Sequence, residues 1–146
     1  MKKTLKFLAA MAVLAGASLP AFGASPWIVE NSATKEECSA CHVAYAPGFL
    51  PERSWQAIMG NLTDHFGEDA SLNDDLRLQI TNYLTAMGPK EINGLAADLV
   101  PLRISELPWF TREHGSRVLN RVAADPNIGT ISNCTACHQR AEEGRF

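Results

Sequence analysis

The sequence predicts an all-α fold, and three observations carry the prediction. Apolar residues recur at helical spacing through most of the chain, no run alternates apolar and polar residues over strand length, and helix-ending residues sit at the edges of the periodic stretches. Thr34-Lys35-Glu36-Glu37 has the capping-box pattern and opens a short first helix. Pro51 suits a first helical turn, and Trp55, Ile58, Met59 and Leu62 follow at i, i+3, i+4 and i+7. Ser71 reads as an N-cap with Asp74 and Asp75 in the first turn; Leu76, Ile80, Tyr83, Leu84 and Met87 form the stripe, closed by Gly88-Pro89. Residues 90–107 are looser, with a turn at Asn93-Gly94. Helical pieces over 108–114 and 116–124 follow, the second starting at Ser116, and Asp125-Pro126-Asn127 breaks the chain before Ser132 or Asn133 caps a last helix. A boundary near 89–95 divides the chain into two lobes, residues 25–89 and 90–146.

All four cysteines fall in two copies of one motif, Cys38-Ser39-Ala40-Cys41-His42 and Cys134-Thr135-Ala136-Cys137-His138. CxxCH is the attachment pattern of c-type haem: two thiols form thioethers with the haem edge, and the adjacent histidine supplies an axial iron ligand. A four-cysteine zinc ribbon wants roughly 15–20 residues between its CxxC pairs, whereas 92 separate Cys41 from Cys134. A thioredoxin-like dithiol needs a βαβ context, which the periodicity does not provide. The sequence therefore predicts two covalently attached c-type haems, bound by Cys38, Cys41, Cys134 and Cys137, with His42 and His138 on iron. Two haems fill much of so short a chain, and without them its apolar side chains would face two cavities and fold poorly.

Histidines supply the next clue. Beyond His42 and His138 the chain has two, His65 and His114, matching the two vacant axial positions. His65 precedes Phe66-Gly67, a loop placement that can aim an imidazole at iron, and His114 ends the aromatic run Trp109 to His114. Bis-histidine ligation at both haems is the leading expectation. Met59 and Met87 are the rival ligands, although both lie on apolar helical stripes where methionine is more often packing. Two imidazoles leave the potential lower than histidine with methionine does, so low-potential haems are expected. Local pairing joins His42 to His65 over 23 residues and His114 to His138 over 24, against 72 and 73 for crossed pairing. Loop-closure entropy favours the short loops by only about 1 kcal/mol per haem, which packing could reverse.

The start of the chain reads as a cleaved secretory signal over residues 1–24. Lys2, Lys3 and Lys6 precede an apolar stretch from Phe7 to Leu19, and cleavage is expected after Gly23 or Ala24. The stretch is short for a membrane span, and an uncleaved anchor is the alternative. Removing it leaves 10 basic against 16 acidic side chains, a charge of −6 before any haem propionates. Such a polyanion is a poor binder of nucleic acid or anionic membrane and suits partners with a positive patch. Asn61-Leu62-Thr63 matches a glycosylation sequon, read here as chance. Arg103, Arg112, Arg117 and Arg121 form either a solvated face or partners for haem propionates. If one helix ran through 114–121, His114, Arg117 and Arg121 would share its face, a condition that Gly115 works against. Glu142 and Glu143 are candidates for docking a basic partner. Trp55, Trp109, Phe49, Phe66, Phe110 and Tyr83 read as core or haem-pocket packing.

The exported N-terminus, both CxxCH sites, the run Asn133-Cys134-Thr135-Ala136-Cys137-His138 on to Phe146, and the segment from Pro51-Glu52-Arg53-Ser54-Trp55 to His65-Phe66-Gly67 resemble the small bacterial dihaem cytochrome c family. The resemblance implies a cytochrome c-like helical fold around two bis-histidine haems, with His65 and His114 as distal ligands. It further implies haem attachment outside the cytoplasmic membrane, hence a periplasmic electron-transfer protein that is not an enzyme. Expected redox partners are a membrane b-type cytochrome as donor and a small oxygen-binding monohaem cytochrome as acceptor, with the chain itself a monomer. The first half is similar to a class I cytochrome c lobe, with histidine where that class typically uses methionine. An open or labile iron site, serving peroxidase chemistry or binding of oxygen or nitric oxide, is the alternative function; a subunit of a larger reductase is a more distant one.

Overall fold

The computed structural model describes residues 25–146; the expected signal segment, residues 1–24, lies outside the described residues. The described residues form five α-helices, α1 (Ser32–Cys38), α2 (Glu52–Gly60), α3 (Asp74–Met87), α4 (Pro108–Glu113) and α5 (Ser116–Ala124), with short 3-10 turns between and after them. No strand occurs among them; the one ladder-like contact is an isolated bridge between His65 and Glu68. The all-α expectation is met.

Two helix starts differ from the sequence reading. The cap of α1 is Asn31, whose side chain accepts from the Thr34 N–H, while Thr34 lies inside the first turn and is buried. Asn73, not Ser71, caps α3 by accepting from the Leu76 N–H; Ser71 instead bonds the Asp69 carboxylate. Asparagine satisfies an orphan N–H as well as serine or threonine does, so burial decides among neighbouring candidates. The second CxxCH also departs from expectation: it sits on a 3-10 turn, Cys134–Ala136, and not on an α-helix. Asn133 occupies the cap position without capping; its amide donates to the Ile128 carbonyl and its oxygen accepts from the Thr135 hydroxyl.

The α2–α3 pair forms the centre of the molecule. Leu50, Trp55, Met59 and Leu62 meet Ile80 and Leu84, and Leu107 and Phe110 complete the same apolar cluster. Full burial of each such side chain stabilises by about 1.5–3 kcal/mol. The Trp55 indole N–H donates to the Pro47 carbonyl at 2.8 Å, tying α2 to the turn before it. Close approach requires glycine at 88, where a Cβ would lie 2.8 Å from the Leu84 carbonyl oxygen and 3.0 Å from Trp55. Arg53 reaches out of α2 to the irregular segment after α3, donating to the carbonyls of Lys90, Ala96 and Leu99. None of the helices among the described residues is long and apolar enough to cross a membrane.

Candidate functional site

The four histidines come together as two pairs. The rings of His42 and His65 have centroids 6.2 Å apart with planes 25° apart, and those of His114 and His138 are 6.1 Å apart at 73°. Local pairing, the shorter loop closure, is the arrangement the chain adopts.

Each pair is positioned by its surroundings. The first motif starts at the C-terminal end of α1 and continues past it, so His42 sits in the following loop. The His42 Nδ1 lies 2.7 Å from its neighbour's carbonyl, that of Val43. An Nδ1–H donated there leaves Nε2 free with its lone pair outward, the orientation a metal-bound imidazole needs. His65 follows the turn Leu62–Asp64, whose Leu62 is anchored in the core. The His65 N–H donates to the Glu68 carbonyl at 2.8 Å and the Gly67 N–H to the Asp64 carboxylate at 3.1 Å, closing a tight loop. Within it Phe66 takes φ +59°, a conformation that non-glycine residues rarely adopt and that clusters at functional sites. Burial, with His42 and Arg103 nearby, lowers the His65 pKa and favours the neutral imidazole that ligation requires.

His114 is the residue at which α4 ends. Its N–H donates to the Phe110 carbonyl at 2.8 Å, and its Nδ1 lies 3.1 Å from the same oxygen. Its ring also stacks on the buried Phe110 ring at 4.0 Å and 14°. The imidazole is thus fixed by the Phe110 carbonyl and the Phe110 ring, with its Nδ1 engaged and the His138 ring 6.1 Å away. Gly115 then takes an extended conformation before α5, so His114 shares no helix with Arg117 and Arg121. The second motif's His138 packs edge-on against Phe146, which meets Phe49, which in turn meets Trp109.

The remaining predicted residues separate by position. Met59 packs in the core, and His65 and His114 are the side chains that face the motif histidines. Arg103 leaves the other arginines and stands over the Phe66 ring at 3.9 Å, beside the first pair. Arg112 pairs with Glu113, and Glu143 with Arg140. Cys38 and Cys134 are half-buried, while Cys41 and Cys137 are exposed. Burial, with Glu37 close by, pushes the Cys38 thiol up to about 11, so in the bare polypeptide it is protonated. Among the described residues no three His, Cys, Asp or Glu side chains converge as a metal-holding group.

Sequence reasoning missed Tyr45. Its ring stacks on His42, with centroids 4.8 Å apart and planes 20° apart, and its hydroxyl donates to the Ser132 carbonyl at 3.1 Å. An aromatic residue three positions after a CxxCH histidine was the available signal, but a single tyrosine outside any periodic stretch does not announce a role. Burial, with Cys134 adjacent, pushes its phenol up to about 12, so it is a hydrogen-bond donor throughout the working range. Tyr45 lines a cleft of about 380 Å³ together with Cys41, His42, Ser132 and Cys134.

These residues fit two haem irons. With metal–imidazole bonds of about 2.0 Å, two histidines in line on one iron have ring centroids about 6.3 Å apart, and both pairs match that spacing within 0.2 Å. Each pair contains one motif histidine adjoining the thiols that would hold the porphyrin.

Comparison with known proteins agrees. The dihaem cytochrome c family matches residues 34–146. A solved dihaem cytochrome c from Rhodobacter sphaeroides is 47% identical, over 82% of this chain and 98% of its own, with a TM-score of 0.74. A second structure from that organism, of protein purified from it, is 46% identical over 82% and 99%, at 0.65. A dihaem cytochrome c from Shewanella baltica is 34% identical over 80% and 86%, at 0.69. No curated protein matches. Taken with the two CxxCH motifs, these likenesses make the chain a member of the dihaem cytochrome c family, a haem electron-transfer protein carrying two c-type haems.

Proposed function

We propose that this cytochrome is an exported, periplasmic carrier that passes single electrons between redox proteins, with both irons held between two histidines and no substrate chemistry of its own. The observation that carries the reading is the pairing of His42 with His65 and of His114 with His138 at the separation two ligands of one iron require. Bound haem supplies a reversible one-electron iron couple. The chain's part is to hold that couple closed to other ligands and to set its potential. His65 and His114 fill the positions at which oxygen, nitric oxide or peroxide would otherwise bind. The Val43 and Phe110 carbonyls, by accepting from Nδ1, fix two of the imidazoles and raise their basicity, which favours the ferric state.

Export is supported by Lys2, Lys3 and Lys6 ahead of the apolar run. The net acidic surface favours partners with a basic face. The family resemblance points to a membrane b-type cytochrome as donor and a small oxygen-binding monohaem cytochrome as acceptor. Two lobes, 25–89 and 90–146, each bring one haem, joined through the shared core at Leu107 and Phe110.

The test is an absorption spectrum of the dithionite-reduced holoprotein before and after carbon monoxide. Two low-spin haems unchanged by the gas are expected. Uptake of carbon monoxide by one haem of the native protein would refute bis-histidine ligation there and move a gas-binding or peroxidase role ahead. His65→Ala and His114→Ala should each convert one of the two haems to a carbon monoxide-binding form.

A further inference from the structure

Tyr45 belongs to neither CxxCH motif, yet it touches both haem sites. Its ring covers the His42 imidazole. Its hydroxyl crosses 87 residues of sequence to the Ser132 carbonyl, two residues before Cys134. The same oxygen accepts the Cys134 N–H at 2.9 Å, and the Cys134 sulfur lies 3.5 Å from it. One side chain therefore runs from an axial ligand of the first haem to the attachment loop of the second, along the wall of the cleft between the motifs.

We propose that Tyr45 is a positioning residue for electron exchange between the two haems, its hydroxyl locking the His42 ligand that its ring covers to the loop carrying Cys134. The proposal goes beyond the carrier function and rests on it at one point, that His42 binds iron. In the step concerned, one electron leaves one iron, which is oxidised, and reaches the other, which is reduced. No bond forms or breaks, no proton moves, and Tyr45 stays a neutral phenol throughout. Tunnelling falls steeply across empty gaps and less steeply through packed atoms and hydrogen bonds. The ring contact and the hydroxyl–carbonyl bond replace such a gap, and they also keep the two sites from drifting apart.

The experiment uses the holoprotein with Tyr45→Phe, which keeps the ring and removes the tether. The rate of intramolecular electron exchange in half-reduced protein is read from NMR saturation transfer between the haem methyl resonances of the two one-electron forms. Tyr83→Phe is the control: its hydroxyl also bridges distant segments, accepting from the Glu30 N–H at 2.9 Å and donating to the Ile28 carbonyl at 3.3 Å, away from both histidine pairs. Expected is a several-fold loss of exchange rate in Tyr45→Phe and none in Tyr83→Phe. A wild-type rate in Tyr45→Phe overturns the proposal, and so does an equal loss in Tyr83→Phe, which would make the effect a general loosening. Carbon monoxide binding at the first haem of the reduced wild-type protein would instead refute His65 as its sixth ligand; His42 would still hold that iron, so the exchange rates alone decide the proposal.

Discussion

Replacing Arg53 with alanine removes a side chain that hydrogen-bonds α2 to the irregular segment between α3 and α4. Its guanidinium donates from Nε to the Leu99 carbonyl at 2.6 Å, from one terminal nitrogen to Lys90 at 2.8 Å, and from the other to Ala96 at 3.2 Å. Hydrogen bonds from a charged donor are worth about 1.5–3 kcal/mol each when both partners are desolvated, and neutral ones about 0.5–1.5. Lys90, Ala96 and Leu99 are exposed, so water takes over their carbonyls when the arginine leaves, which selects the lower range. The Glu91 carboxylate, 3.8 Å away and 65% exposed, adds little. The expected loss is about 2 kcal/mol for Arg53→Ala, from three bonds at about 0.7 each. Arg53→Lys should recover less than half of it, because an ammonium cannot span three carbonyls in a planar fork. Equilibrium denaturation of the holoprotein reads the loss, and hydrogen exchange should localise it to residues 90–102. A change below about 0.5 kcal/mol in Arg53→Ala, within the scatter of ordinary surface substitutions, with exchange in that segment unaltered, would refute the reasoning.

Three further predictions concern other parts of the chain. Gly144→Ala meets two penalties: Gly144 has φ +71°, and a Cβ there would lie 2.6 Å from the Trp27 carbonyl oxygen, so denaturation should show a loss of about 2 kcal/mol or more. Ser54→Ala removes a fully buried hydroxyl with no partner among the described residues; stability should stay level or rise by up to about 1 kcal/mol, and a clear loss on denaturation would mean that a partner exists. Arg140 holds the Glu143 carboxyl below its ordinary range by hydrogen bonding. Because that pKa is depressed, the bond contributes at pH above the ordinary carboxylate value and is lost as pH falls through the lowered one. In Arg140→Gln the Glu143 titration, followed by NMR, should move upward toward the ordinary glutamate value.

Much of the helix layout was legible because periodicity records burial. The stripes over α2, the turn after it and α3 supply Trp55, Met59, Leu62, Ile80 and Leu84 to the core. Caps were less legible, since Asn31, Thr34, Ser71 and Asn73 all have capping chemistry and only packing selects among them. The last motif was misread as an α-helix because Cys134 to His138 has too few residues for a periodic signal. At the site, residue types and counts were enough to nominate His65 and His114. Their orientation was not readable, because it comes from carbonyls and aromatic faces, Phe110 above all, that no local pattern specifies. Tyr45 was invisible for the same reason: its contact to Ser132 spans most of the chain.

With the bis-histidine ligation proposed above, the unequal ring angles of the two histidine pairs would give the two irons different electronic signatures. When two axial imidazoles lie nearly parallel, as His42 and His65 do at 25°, their π-donation falls on one ferric d-orbital and splits the low-spin set, giving a rhombic paramagnetic signal. Crossed planes, as for His114 and His138 at 73°, load both orbitals almost equally and leave them near-degenerate, which concentrates the anisotropy in one very large g-value. A single frozen sample of oxidised protein would thus carry its own labels. Each resonance belongs to one iron, and the order in which the resonances vanish on stepwise reduction tells which haem fills first.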